Sequence, residues 1–288
     1  MHKLEFGLKN NELVTIDDVE GGLACDCICP NCNKQLIARK GELKEHHFAH
    51  YKSDDCNYGT ETAIHLLAKE VIAKASHFTT PQLLLNDKYY EIFDEISIPI
   101  DQVWVEKHQK HFIPDIIIES GGKKLYIEII VTNNVSWQKM QLIRDRNLPF
   151  IAFNALRIKN YLRRNFKDLG NDENFIKELV EGTRHKYWLH NPKREKIREI
   201  LSENYAEVKP IKSFGNYNFE YVADCLLEKN EWKSKKLQGQ FYAKPEKDCE
   251  KCRFFLGQNR IDSRENVHCI AYMQFELNAL VKKLSKNI

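Results

Sequence analysis

Residues 114–132 read PDIIIESGGKKLYIEIIVT and predict a β-hairpin that turns at Gly121-Gly122. In such a hairpin, residues at equal distances from the turn face each other. This register pairs Ile117 with Tyr126, and it sets Asp115 opposite Glu128. The other face is predicted to be wholly apolar, so that a slip of one residue would expose it. That face comprises Phe112, Ile116 and Ile118 against Leu125, Ile127 and Val131.

The predicted pairing of Asp115 with Glu128 indicates a metal site. Opposed Cβ atoms lie about 5 Å apart, and the bulky neighbours Ile113, Ile130 and Val131 indicate burial on both faces. Two ionised carboxylates in that position repel each other unless a divalent cation lies between them. Oxygen ligands of this kind suit Mg²⁺ or Mn²⁺. The alternative is a pair of surface charges on the solvent face of an ordinary hairpin.

The elements predicted after residue 60 follow the order α-β-β-β-α-β. They are a helix with Thr60 as its N-cap, a strand over 88–99, the hairpin strands 111–119 and 124–132, a helix from Ser136 to about Asn147, and a strand over 149–153. A strand, helix and strand crossover implies a parallel pair in a mixed α/β sheet. A smaller hairpin is predicted around Asn10-Asn11. Beyond residue 155, helical segments are predicted around 173–187 and 192–205, with a strand-like stretch at 216–222.

The N-terminal cysteines predict a structural zinc site. Cys29-Pro-Asn-Cys32 provides two thiolates for one tetrahedral ion. The candidate ligands are Cys25, Cys27, Cys29, Cys32, His46, His47, His50 and Cys56, of which we select Cys29, Cys32, His47 and Cys56. Buried free cysteines are the alternative. A closed shell of four ligands stabilises a fold and leaves no position for catalysis.

A second structural zinc site is predicted near the C-terminus. Cys249, Cys252 and Cys269 supply three ligands, and either Cys225 or His268 is the fourth. The chain is therefore divided into an N-terminal zinc-binding module (1–58), a core (59–156) and a mainly helical C-terminal region with a zinc knuckle (157–288).

Composition is that of a globular protein, with 288 residues, 42% hydrophobic and 30% charged. The polar start and the lack of a long apolar run predict a cytoplasmic protein without a membrane span, and clustered cysteines in such a compartment indicate metal binding. The formal net charge of +3 is weak evidence for nucleic acid. Residues 155–212 hold 14 Lys and Arg against 9 Asp and Glu. That excess suits a phosphate backbone, although a solvated helix face is the commoner explanation.

These motifs together resemble the competence protein CoiA-like family. The residues that carry the resemblance are CPNC and HHFAH, the helix beginning Glu61-Thr-Ala-Ile-His65, the PD…IEIIVT hairpin and the last CxxC. The resemblance implies a PD-(D/E)xK nuclease core of the restriction-endonuclease type, which hydrolyses DNA with Mg²⁺. It implies Asp115 and Glu128 as metal ligands, and Glu61 as a further acidic group. DNA uptake, recombination or phage defence is the expected setting, with DNA and proteins of those processes as partners.

One position departs from the nuclease pattern. Two residues after Glu128, where that pattern has lysine, this chain has Ile130, which cannot orient water or stabilise a phosphorane. We expect Lys139, in the first turn of the next helix, to take that role. Glu61, His65 and Lys69 share one helix face, and of these we favour Glu61 as catalytic; a solvated face with a weak ion pair is the alternative for the three.

Two other functions remain open from the sequence. The first is a catalytically inactive zinc protein that binds nucleic acid or a partner protein on a nuclease-like fold, which Ile130 and the weak net charge favour. The second is a His-metal nuclease centred on HHFAH, which lacks the catalytic spacing that such an enzyme needs. Strand form, sequence preference and endo- or exonuclease action are not encoded in these motifs.

Overall fold

The computed structural model describes residues 4–52, 56, 58–86, 89–132, 134–165, 172–214, 219–261 and 264–288. The elements up to residue 105 are β1 (Phe6–Lys9), β2 (Glu12–Thr15), β3 (Leu36–Arg39), β4 (His47–His50), α1 (Gly59–Lys74), β5 (His77–Thr80), β6 (Leu83–Asn86), β7 (Tyr89–Phe93), β8 (Ile96–Pro99) and β9 (Gln102–Val105). Those from 116 to 190 are β10 (Ile116–Ser120), β11 (Lys123–Ile130), α2 (Trp137–Asp145), β12 (Phe150–Asn154), α3 (Ala155–Asn165), α4 (Asp172–Val180) and β13 (Lys186–His190).

The remaining elements are α5 (Pro192–Asn204), β14 (Glu207–Phe214), β15 (Phe219–Ala223), β16 (Asn230–Glu231), β17 (Phe241–Ala243), β18 (Phe255–Ile261), β19 (Arg264–Cys269) and α6 (Leu277–Asn287). The chain forms two compact units. The first comprises Met1–Pro81 and Glu95–His190, and the second comprises Gln82–Asp94 and Asn191–Ile288.

A five-stranded mixed sheet organises the first unit. Its strand order is β13-β12-β11-β10-β9, and β11 runs parallel to β12 while its other neighbour, β10, is antiparallel. The predicted crossover through α2 is thus confirmed. Around this sheet the chain order is α1, β9, β10, β11, α2, β12, with the first sheet strand at 102–105 instead of within 88–99.

The predicted hairpin register is confirmed for the five residue pairs from Ile116 opposite Ile127 to Ser120 opposite Lys123. Gly121 and Gly122 close the turn with φ angles of 55° and 73°, a region that glycine enters without steric cost. The smaller N-terminal hairpin is also confirmed, with Asn10 and Asn11 between β1 and β2.

Several predicted boundaries were wrong. The first hairpin strand begins at Ile116 and not at residue 111. The backbone groups of Phe112 form hydrogen bonds with those of Gln109, and Pro114 has no N–H to donate to a neighbouring strand. Phe112 accordingly contacts Tyr126 and Phe150 on the opposite face from Ile116. Segment 88–99 forms two strands, β7 and β8.

The sheet is buried on both faces by apolar side chains. One face packs on α1 and α3, where Ile64, Ala68 and Ile72 of α1 are fully buried against Ile116 and Ile127. α1 begins at Gly59, one residue before the predicted cap, and no side chain caps it. α2 begins as predicted, since the Ser136 hydroxyl accepts a hydrogen bond from the N–H of Lys139.

The C-terminal region is mixed and not mainly helical as predicted. Its six-stranded sheet has the order β16-β17-β15-β14-β19-β18. β14 is exposed or half-buried along its whole length, so it lacks the alternation of apolar residues that identifies strands in a sequence. β6 and β7 form a separate pair in the same unit. Among the described helices, none is both long and apolar enough to cross a membrane.

The hairpin turn gives a first test of the fold. Replacing Gly122 with alanine forces a side chain into positive φ, and we expect the free energy of unfolding to fall by about 1–2 kcal/mol. Urea denaturation measures this change. Gly41→Ala is the matched control, because a Cβ at either position meets no atom within 4 Å and Gly41 has no positive φ. Equal stability of the two variants would contradict the strained turn.

Candidate functional site

The two predicted carboxylates lie close to the junction of β10, β11 and α1. Asp115 is the residue before β10, and its Oδ2 atom accepts a hydrogen bond of 2.8 Å from the N–H of Ile129 in β11. Glu128 is the residue of β11 that follows Ile127, the partner of Ile116. The side chains of Asp115 and Glu128 are 15% and 17% exposed. They are therefore partly shielded from water, although the predicted neighbour Ile113 is itself exposed.

α1 brings two basic side chains to Asp115. His65 Nε2 and Lys69 Nζ each lie 3.1 Å from Asp115 Oδ1. Lys69 is only 6% exposed, and its ammonium group also donates to Glu106 Oε1 over 2.6 Å. A buried lysine is stable only with such partners. Of the three residues predicted to share this helix face, His65 and Lys69 thus contact Asp115, although the sequence favours Glu61 as the catalytic residue.

Glu61, in the first turn of α1, contacts the chain at the other end of the site. Its Oε2 atom accepts a hydrogen bond of 2.8 Å from Thr132 Oγ1, just beyond β11. Within the described residues, Glu61, Asp115 and Glu128 do not form a group whose ligand oxygens all lie within 4.8 Å of one another. The structure therefore does not bring the three carboxylates together as one set of metal ligands.

Lys139 contacts Glu128. Its Nζ donates to Glu128 Oε2 over 2.5 Å and to the carbonyl oxygen of Ile113 over 3.1 Å. The Ser136 cap fixes the first turn of α2, so Lys139 enters from a separate element. Ile130 is 3% exposed and supplies only apolar packing at the position where the nuclease pattern has lysine.

The two carboxylates have opposite pKa shifts. Burial raises the pKa of Asp115, but the hydrogen bond and charge of His65, the N–H of Ile129 and the charge of Lys69 together lower it to about 2. Burial raises the pKa of Glu128 above its usual range; the hydrogen bond from Lys139 opposes the rise, and the negative charge of Asp115 adds to it. Asp115 is thus held ionised, while Glu128 is the more easily protonated partner.

This donor set fits Mg²⁺ or Mn²⁺ in its chemistry. Two partly buried carboxylates supply hard oxygen ligands. Burial is the main cause of the raised pKa of Glu128, and the negative charge of Asp115 adds to it; a bound cation would remove that repulsion. Lys69, beside Asp115, and Lys139, beside Glu128, provide part of the positive charge that balances the two carboxylates.

The N-terminal cysteines form a second centre in the same unit. Cys29, Cys32, Cys56 and His50 place their ligand atoms within 4.8 Å of one another. The sulfur atoms of Cys29 and Cys56 lie 3.5 Å apart. Cys32 Sγ lies 3.2 Å from His50 Nε2. Tetrahedral zinc with bonds of about 2.3 Å separates two sulfur ligands by about 3.8 Å. This Cys₃His cluster can therefore bind a structural zinc ion.

The predicted ligand His47 was wrong, because the structure has His50 in its place. Side chains alternate along β4, so that Phe48 and His50 are buried while His47 points the other way. The His47 ring instead contacts the carbonyl oxygen of Glu45. The sequence carried this signal, since the ligand must share the face of Phe48, the large apolar residue of HFAH.

Cys25 and Cys27 lie outside the cluster. Both are fully buried in the core of the N-terminal module, and the Cys27 thiol contacts the carbonyl oxygen of Cys25. They behave as small apolar side chains.

Gly59, the first residue of α1, lies against the cysteine cluster. A Cβ built at Gly59 would lie 3.2 Å from the sulfur of Cys29 and 3.4 Å from that of Cys56. Asn31 forms a second link, since it contacts Cys56 Sγ at 3.5 Å and accepts a hydrogen bond from Thr62 of α1. The helix that supplies His65 and Lys69 is thus anchored on the cluster.

Comparison with known proteins bears on this part of the chain. Residues 22–59 match the family model of the competence protein CoiA N-terminal domain. The CoiA-like resemblance is thereby confirmed over the segment that contains all four ligands of the cluster. No curated protein and no solved structure gave a significant match.

The corrected zinc ligand is directly testable. His50→Ala should lose about one zinc ion per chain and melt at a lower temperature, because a tetrahedral structural site needs all four ligands. His47→Ala is the matched control and should keep both properties. Elemental analysis and thermal unfolding measure them. Zinc loss in His47→Ala with zinc retention in His50→Ala would show that His47, and not His50, is the fourth ligand.

The pKa of Asp115 gives a second test. Its folded pKa of about 2 lies below the usual value of 3.8 for an aspartate, so ionised Asp115 stabilises the fold above about pH 4, and this contribution disappears as the pH falls through 2. We expect Asp115→Asn to cost about 2 kcal/mol at pH 7. The difference in the free energy of unfolding between wild type and Asp115→Asn, measured by denaturation, should narrow between pH 4 and pH 2. A difference independent of pH would contradict the ionised state of Asp115.

Proposed function

We propose that this chain is a metal-dependent deoxyribonuclease that holds Mg²⁺ or Mn²⁺ between Asp115 and Glu128. The observation that carries the proposal is the convergence of these two carboxylates with Lys139, whose ammonium group lies 2.5 Å from Glu128. Phosphodiester hydrolysis needs a metal ion and a cation at the reacting phosphate. The order of elements around the central sheet supports a restriction-endonuclease-like core.

The roles of the residues follow from their positions. When bound, the ion would activate water and neutralise phosphate oxygens. Asp115 is already ionised at neutral pH, and His65 and Lys69 fix its orientation. Lys139 takes the place of the lysine absent at Ile130, and its ammonium group, which lies 2.5 Å from Glu128, would contact a non-bridging phosphate oxygen.

DNA as the substrate rests on the match to the competence protein domain at residues 22–59. That likeness supports a role in DNA uptake or recombination, and phage defence is a related setting for a DNA nuclease. The zinc module would then contribute stability and DNA contacts to the same unit.

A second candidate is a protein that binds nucleic acid without cleaving it. Ile130 favours it, as does the state of the carboxylates, since Asp115 and Glu128 already have cationic partners within the protein. Such a protein would retain DNA binding and show no metal-dependent cleavage.

Plasmid and oligonucleotide cleavage with Mg²⁺ or Mn²⁺ separates the two candidates. The wild type should cleave, and Asp115→Ala and Glu128→Gln should each abolish cleavage with zinc content unchanged. Glu119→Ala is the matched control on the same hairpin, because Glu119 pairs with Lys124 in the register and should be dispensable. A wild type that binds DNA but never cleaves it would support the second candidate.

Lys139 can be tested separately. Lys139→Ala should lower kcat by about 100-fold to 1,000-fold, the usual cost of one electrostatic group in the transition state, with little change in the affinity for Mg²⁺. Lys123→Ala, at the exposed start of β11, is the control. Wild-type turnover in Lys139→Ala would assign this lysine to charge compensation alone.

A further inference from the structure

The second unit contains four cysteines that the carboxylate centre does not use. Cys225, Cys249, Cys252 and Cys269 line one cavity of about 30 Å³. A volume of about 10–15 Å³ already accommodates a water molecule. The four thiols come from three separate segments: the loop after β15, the connection between β17 and β18, and the last residue of β19.

We propose that these four cysteines form a second structural zinc site, with Cys225 as the fourth ligand. The sequence left Cys225 and His268 as alternatives. On β19, Val267 and Cys269 line the cavity, so alternation directs the intervening His268 to the opposite face. There its Nδ1 lies 2.5 Å from the hydroxyl oxygen of Ser202. Cys225 is therefore the fourth ligand by position.

The backbone around these thiols matches that of the N-terminal cluster. In that cluster, Asn31 donates its N–H to Cys29, and Tyr58 donates to Cys56, each from two residues further along the chain. The same spacing recurs at Cys252, which accepts from Phe254, and at Cys269, which accepts from Ala271. Amide donors placed in this way stabilise the negative charge of thiolate ligands.

A tight turn also links the two cysteines of the CxxC motif. The N–H of Cys252 donates to the carbonyl oxygen of Cys249 over 2.8 Å. Cys225 begins a comparable turn, since its carbonyl oxygen accepts from the N–H of Glu228 over 2.9 Å. Both turns direct their cysteines into the one cavity.

The charges around the cavity suit an ion with four thiolates, whose net charge would be negative. Lys209 and Lys229 line the same cavity, together with one carboxylate, that of Asp248. The positive charge of Lys209 acts on Cys269 and that of Lys229 on Cys252.

Metal binding must draw the four thiols together. Among the described residues, no three of these sulfur atoms lie within 4.8 Å of one another, in contrast to the N-terminal cluster. Closure around an ion would fill the cavity and join the three segments, which is how a structural zinc site contributes to folding.

The test counts zinc in the full chain. Wild type should bind two zinc ions, and Cys225→Ser and Cys29→Ser should each bind one, having lost different sites. His268→Ala and Cys27→Ser are the controls and should bind two. One zinc ion in wild type would overturn the proposal, as would a disulfide between any two of the four thiols.

Cobalt spectroscopy covers the case in which Cys225→Ser does not fold. In the Cys29→Ser protein loaded with Co²⁺, the remaining ion should show strong sulfur-to-cobalt charge transfer and the ligand-field bands of four thiolates. Bands typical of three thiolates and one nitrogen would assign His268 and overturn Cys225. The result is independent of nuclease activity, so the proposed function and this site can fail separately.

Discussion

The main constraint on the first unit is the free-energy cost of placing two carboxylates close together where both are partly shielded from water. Burial favours the neutral form of each, and the charge of Asp115 opposes ionisation of Glu128. Three basic side chains from two helices converge on them: His65, Lys69 and Lys139. Two carboxylates that were fully exposed to solvent would not need such charge compensation. This constraint explains why a lysine is tolerated in the buried face of α1.

Local rules predicted the centre of the fold because they depend on neighbouring residues. The two glycines set the hairpin register, and Ser136 set the start of α2, so Asp115, Glu128 and Lys139 were found from the sequence. Prediction failed where distant segments decide the outcome. Lys69 appeared to be a solvated residue, since nothing in the helix indicates that Glu106 and Asp115 will meet it.

The same distinction holds in the other parts of the chain. His50 instead of His47 follows from the alternation of a four-residue strand, which is a signal that the sequence contains but that the number of candidate ligands obscured. β14 could not be identified from its own residues, because it has no fully buried residue and is defined by its pairing with β15 and β19. Backbone pairing of that kind has no apolar pattern.

Gly59 has a consequence for how any metal dependence of this protein is interpreted. The start of α1 packs against the sulfur atoms of Cys29 and Cys56, and the same helix carries His65 and Lys69 to Asp115. A chelator used to remove Mg²⁺ also extracts zinc from thiolates, and the anchored end of the helix would then loosen. Loss of activity in EDTA would therefore be ambiguous between the two metals. Restoration by Mg²⁺ alone, after dialysis that leaves the zinc in place, is the condition that separates them.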